Sequence, residues 1–299
     1  MKCNLCERKC NVDRTTKLGA CQANNKMQIA RVSLHEWEDP SISGTNGSGT
    51  IFFSYCNLKC IYCQNYELSQ NHLGYYVTTN DFSNMCLYLQ KKKAHNINLV
   101  TPTHYVPNII EGLKLAKTKG LNIPIVYNTS SYETIETIKS LNGYIDIYLP
   151  DLKYYDNKYG INYSNVTNYF EIATKAIDEM YKQVGPCKFD KNGLLQKGMI
   201  VRHLCLPGLK EDSKKIIKYL YNKYHDNIFI SIMNQYTPVK HFDNYSNLNR
   251  KVTDEEYDEI IDYAIDLGVT NAYIQEGETQ KTSFIPNFNE NPLEKISSL

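Results

Sequence analysis

"FFSYCNLKCIYCQN", residues 52–65, places Cys56, Cys60 and Cys63 on one short stretch in the spacing C-x3-C-x2-C, with Tyr62 just before the last. The run ahead of them, "GTIFFSY" (49–55), is apolar and β-rich and leads straight into the cysteines. An iron–sulfur cube is normally held by four thiolates, one per iron. Three thiolates leave one iron open, much as a catalytic zinc with three protein ligands keeps a place for substrate. An open, electron-rich iron can chelate a ligand that carries both an amine and a carboxylate. S-adenosylmethionine is such a ligand, and electron transfer to it splits the sulfonium bond to give a carbon radical. Zinc is the competing metal. A structural zinc wants a closed tetrahedral set, and the nearest later candidate, His72, falls in what reads as a separate loop.

Beyond the loop, the chain alternates helix-like and strand-like runs. Strands are expected at "INLVT" (97–101), "IPIVYN" (123–128), "YIDIYLPD" (144–151), "KGMIVRHLCLPG" (197–208), "IFISIMNQY" (228–236) and "TNAYIQ" (270–275). Helices are expected between them. "PNIIEGLKLAKTKG" (107–120) opens on Pro107 and closes on Gly120, the asymmetry of a helix, and a longer helix is expected over 164–185. Six or seven such repeats imply a parallel α/β architecture. Polar residues punctuate the C-terminal ends of the strand runs, where α/β barrels collect their chemistry. They are Cys56, Thr103 and His104, Asn128, Asp151 and Lys153, Arg202 and His203, and Asn234 and Gln235.

The totals exclude several classes. Lys plus Arg number 33 against 32 Asp plus Glu, a net charge of +1 with the basic residues scattered, so no nucleic-acid surface is marked. No segment has the eighteen or so apolar residues of a membrane span, and "MKCNLCERKC" lacks an apolar signal core, so a cytoplasmic protein is expected. Clustered thiols in a reducing compartment read as metal ligands rather than disulfides. "GTNGSG" (44–49) precedes a strand instead of following one and reads as a turn, not a dinucleotide fingerprint.

A second set, Cys3, Cys6, Cys10 and Cys21, has the spacing C-x2-C-x3-C-x10-C. Four thiolates from a short polar segment can close one site, as zinc or as a second iron–sulfur cluster, and spacing does not choose between them. The expected division is a Cys-rich metal-binding module over 1–49, a barrel over 50–275 and a tail over 276–299. Cys86, Cys187 and Cys205 are isolated and read as packed thiols.

The cysteine motif, with its aromatic and its place after the first strand, resembles the radical S-adenosylmethionine superfamily. Within it the chain is similar to the pyruvate formate-lyase activating enzyme branch, through "GSGTIFFSYCNLKCIYCQN", "NINLVTPTH", "DIYLPDLKYY", "EMYKQVG", "VRHLCLPG" and "MNQYTP". The resemblance implies a partial (β/α)6 barrel, a 4Fe–4S cluster on Cys56, Cys60 and Cys63, and S-adenosylmethionine as cofactor. It implies an electron donor such as flavodoxin or ferredoxin, and a glycyl-radical enzyme as substrate.

By the same resemblance, Tyr62 packs against the adenine. The family's Gly-Gly-Glu-type segment after the second strand is replaced here by "TPTH", so Thr101 and Thr103 stand in for it. Asn128 and Asp151 occupy the ends of the third and fourth strands. Asn128 replaces an Asp of the family, which removes a charge from any monovalent-cation site near Asp151. Lys153 suits the methionine carboxylate, as a compact cation with three donors, and Arg202 matches a basic residue near the cofactor. His203 and Cys205 have the opposite parity to Arg202 and are expected to pack. Two other functions stand beside the activase: a radical enzyme acting on a small molecule or peptide, and a non-enzymatic zinc or electron-transfer protein.

Overall fold

The computed structural model describes residues 2–275, 288 and 290–297. Among the described residues ten strands form one sheet: β1 (Gln28–His35), β2 (Ser48–Phe53), β3 (Tyr75–Tyr76), β4 (Ile97–Val100), β5 (Ile125–Thr129), β6 (Ile147–Pro150), β7 (Lys188–Phe189), β8 (Leu195–Leu204), β9 (Phe229–Met233) and β10 (Ala272–Ile274). From β2 the order runs β2-β4-β5-β6-β8-β9-β10, every pair parallel. The six expected units are β2 to β9, and β10 adds a three-residue strand at the far edge. The two ends of the parallel run do not pair, so the barrel is partial.

The strand runs read clearly because both of their faces are covered. Every residue of β2, β4 and β6 is buried, which favours mainly apolar runs over strict alternation, with Ser48, Thr50 and Asn98 as buried polar exceptions. Helices Thr79–Lys91, Val106–Thr118, Tyr169–Val184, Lys210–Tyr224 and Asp254–Asp266 supply the outer layer. Thr78 with Asp81, and Thr253 with Glu256, close capping boxes at two of their starts. Gly49, the second residue of β2 and the first to pair with β4, is glycine because a Cβ there would come 2.7 Å from the Asn96 carbonyl oxygen.

Two expectations change in detail. The helix expected over 164–185 starts later and spans Tyr169–Val184, because Asn165 (φ 52°) and Asn168 (φ 50°) are left-handed and separate it from a preceding helix, Asn157–Ser164, that was not expected. Within the expected N-terminal module, residues 28–35 form β1, which pairs antiparallel with β2, whereas residues 2–27 contain no helix or strand. Of the tail expected over 276–299, only 288 and 290–297 lie among the described residues; Phe288 packs edge-on against Phe52 at 5.6 Å between ring centres. No helix among the described residues is long and apolar enough to cross a membrane.

Candidate active site

Because the strands run parallel, their C-terminal ends share one edge, and there they surround a cavity of about 530 Å³. Cys56, Cys60 and Cys63 form one wall. Thr101 follows β4, Asn128 lies on β5, Asp151 and Lys153 follow β6, and Arg202 lies on β8; all face the same cavity. No other cysteine lines it.

Burial raises the Cys56 and Cys63 thiols above their ordinary value. It lifts Cys60 to about 11, with Lys153 opposing the rise. Each thiol is met by a hydrogen-bonding group. The Leu58 N–H donates to Cys56 Sγ at 3.4 Å, Ser69 Oγ donates to Cys63 Sγ at 3.4 Å, and Ser164 Oγ lies 2.9 Å from Cys60 Sγ. Three desolvated thiols with waiting donors suit a metal group that takes them as thiolates, since loading would release their protons. Among the described residues no three His, Cys, Asp or Glu side chains are gathered tightly enough for a single metal ion. A cube takes one thiolate per iron, so the three thiols of this loop would hold three of its irons and leave the fourth open.

The cavity's cations are already oriented. Lys153 Nζ lies 2.6 Å from Asp151 Oδ2. Burial opposes its charge, but Asp151 and Cys60 more than offset this and its pKa sits above the ordinary value. Arg202 Nη1 lies 2.8 Å from Glu38 Oε2, and Glu38 Oε1 accepts from Asn98 Nδ2 at 3.0 Å. Burial likewise opposes the Arg202 charge, and Glu38, Asp39 and Asp151 hold it protonated. Thr101 sits at φ 60°, left-handed backbone that a β-branched residue adopts only under strain. That is a conformation in which glycine is at ease, at the place where the related family carries Gly-Gly.

Thr103 departs from expectation. It is 1% exposed and donates to the buried Glu133 carboxylate at 2.6 Å, so it does not line the cavity. The chain turns through a 3-10 segment, Thr103–Tyr105, directly after β4, and the desolvated carboxylate needs its hydroxyl. Tyr62 borders the cavity but is 5% exposed, with its hydroxyl on Tyr154 and its ring packed edge-on to Tyr163 and Tyr236. His203 packs as expected, between the Leu152 carbonyl and Ser213 Oγ, and burial lowers its pKa to about 4. His104 is also buried and lowered to about 3.

Sequence reasoning missed His35, Trp37 and Glu38, which reach the cavity from β1 and the segment after it. The acidic run "HEWEDP" after an alternating strand was the available signal. The four N-terminal thiols are free and near one another: burial pushes Cys6 up to about 12, and Cys21, Cys10 and Cys3 add to the rise.

The sequence profile of the radical SAM superfamily matches residues 50–220. The uncharacterized protein MJ0674 of Methanocaldococcus jannaschii is 31% identical over 273 residues, covering 88% of this chain and 74% of that one. Among solved structures, HydG, a maturase of the [FeFe]-hydrogenase, is similar at TM-score 0.54 and 16% identity over 86% of this chain and 57% of HydG. SuiB of Streptococcus suis, bound to precursor peptide SuiA, is similar at TM-score 0.52 and 14% identity over 75% of this chain and 47% of SuiB. The chain thus spans about half the length of these two proteins, and at such identities the likeness is one of fold. The profile covers more than half of the chain, and the M. jannaschii relative extends the likeness over most of it; the chain belongs to the radical SAM superfamily.

Proposed function

We propose that Cys56, Cys60 and Cys63 hold a 4Fe–4S cluster in this enzyme, that S-adenosylmethionine binds at the open iron, and that the hydrogen atom removed comes from a glycine of a partner glycyl-radical enzyme. The observation that carries this reading is the convergence of three thiols, with no fourth, and two oriented cations on one cavity. When bound, the cluster supplies one electron, which breaks a carbon–sulfur bond of the sulfonium to leave methionine and a carbon radical that takes up the hydrogen atom.

The chain's own residues bind and orient. Lys153 spends one of three donors on Asp151 and keeps two for a carboxylate. Thr101 and Asn128 offer a hydroxyl and an amide to the ligand's polar groups. Phe52, Val100 and Leu204 give the cavity apolar wall that keeps water out. A low-potential carrier such as flavodoxin or ferredoxin delivers the electron. We further infer a second, closed metal site on Cys3, Cys6, Cys10 and Cys21, of the iron–sulfur or zinc kind.

Anaerobic reconstitution followed by dithionite and S-adenosylmethionine tests the core of the reading. Iron at the loop and formation of 5′-deoxyadenosine are expected; iron-free protein, or loaded protein that makes no nucleoside, overturns it. Adding a glycyl-radical enzyme should then give a glycine radical signal by electron paramagnetic resonance. Nucleoside without that signal moves the substrate to a small molecule or peptide.

A further inference from the structure

Cys60 stands at the end of a buried file of hydroxyls. Its Sγ lies 2.9 Å from Ser164 Oγ, which lies 2.8 Å from Tyr154 Oη, which lies 2.5 Å from Tyr62 Oη. Ser164 and Tyr154 are fully buried. Packing alone would be served by alanine and phenylalanine, since a buried hydroxyl is unfavourable unless it is paired.

The backbone fixes this contact. The N–H groups of Lys59 and Ile61, on either side of Cys60, donate to the carbonyls of Ser164 (3.2 Å) and Tyr163 (2.8 Å). Helix Asn157–Ser164 ends at Asn165, whose left-handed conformation turns the chain away. The end of that helix and the cysteine loop are therefore locked together, with the Ser164 side chain aimed at the middle thiol. The donors on Cys56 and Cys63 are farther away, at 3.4 Å each.

Ligation of iron sets the direction of the file. Cys60 as a thiolate has no proton and only accepts, so Ser164 must donate to it. The Ser164 oxygen then accepts from Tyr154, and Tyr154 accepts from Tyr62. All three O–H dipoles point toward the sulfur, each polarising the next. Hydrogen bonds to cluster sulfurs favour the state with the extra electron and raise the reduction potential.

We propose that Ser164, backed by Tyr154 and Tyr62, is a positioning residue that holds the Cys60 thiolate and raises the cluster's reduction potential. The inference rests on the cluster's assignment to Cys56, Cys60 and Cys63. It also gives the Tyr62 hydroxyl a part in supporting that thiolate.

The test is a redox titration, followed by electron paramagnetic resonance, of the reconstituted full chain and of Ser164→Ala, Tyr154→Phe and Tyr62→Phe. Iron per chain should be unchanged throughout. The midpoint potential should move negative in all three, most in Ser164→Ala, less in Tyr154→Phe and least in Tyr62→Phe. A wild-type potential in Ser164→Ala, or a larger shift in Tyr62→Phe than in Ser164→Ala, overturns the proposal. Should Ser164→Ala fail to hold iron, the two tyrosine variants, which leave Ser164 in place, decide it: unchanged potential in both overturns it. Iron-free wild-type protein defeats the cluster assignment beneath it, whereas loaded variants at wild-type potential defeat this inference alone.

Discussion

Two cysteine-rich stretches of one chain sit in unlike surroundings. Residues 56–63 leave the buried strand β2 and meet the ends of its parallel neighbours, so their thiols share a cavity with Thr101, Asn128, Lys153 and Arg202. Residues 2–27 have no strand or helix, and their four thiols are near one another. Three residues beside those thiols, Lys9, Asn11 and Gln22, are left-handed, and Cys10 Sγ accepts from the Ala20 N–H at 3.2 Å. The number of thiols sets how many corners of a metal group are held. Whether a free corner has anything to act on is set by the sheet, whose C-terminal strand ends bring Thr101, Asn128, Lys153 and Arg202 to the cavity set.

The sharpest way to break this contrast is to remove one thiol from the cavity. Cys60→Ala should bring 5′-deoxyadenosine formation to background while circular dichroism shows the barrel intact, because the loop hangs at the sheet's edge. Cleavage that survives, or a barrel that unfolds, would dissolve the distinction. A smaller effect is expected from Lys153→Ala, which leaves the thiols in place but removes a charged hydrogen-bond donor. Bonds to charged groups contribute about 1.5–3 kcal/mol, so KM for S-adenosylmethionine should rise roughly 10- to 100-fold. Unchanged KM would mean that Lys153 serves only Asp151.

On the other side of the contrast, Cys6→Ala should lower stability by about 2 kcal/mol, seen as a melting point down by a few degrees. The segment's backbone is pinned to the barrel at this residue: Cys6 bridges Glu133, and Glu7 N–H donates to the Tyr132 carbonyl at 3.3 Å. Cleavage per iron bound at the cavity should be unaltered. Loss of all iron in this variant would show the two sets to be one site.

The parallel repeat was legible because burial on both faces favours mainly apolar runs over strict alternation, as in β2, β4 and β6, where Ser48, Thr50 and Asn98 are the buried polar exceptions. The convergence of Cys56, Cys60 and Cys63 on one cavity was legible because a local spacing carries them. Legibility ended where a contact spans the chain or where one dihedral decides. Asn165 and Asn168 delay the start of a helix to Tyr169 by backbone conformation, which helix periodicity does not encode. Thr103 was placed in the cavity by its position after β4, but its partner Glu133 lies 30 residues away and draws it into the core. Ser164 stands 104 residues from Cys60, and nothing near the motif announces it.

Glu38 joins the two halves of the comparison, since it belongs to the N-terminal portion yet pairs with Arg202, 164 residues on. Its side chain is 7% exposed and Arg202's is 16%, so the pair is shielded from solvent. Glu38→Gln keeps an amide oxygen for the Arg202 guanidinium and a similar shape, but removes the charge and turns the acceptor that faces Asn98 Nδ2 into a donor. Arg202 would keep Asp151 and Asp39 as counter-charges and stay protonated, but its fork would lose one charge-assisted bond. That should raise KM for S-adenosylmethionine about three- to tenfold, or roughly 0.7–1.4 kcal/mol, with circular dichroism and iron content as in the wild type. An unchanged KM with the fold intact would make Glu38 a packing residue, and the N-terminal portion would then contribute nothing to the cavity but its wall.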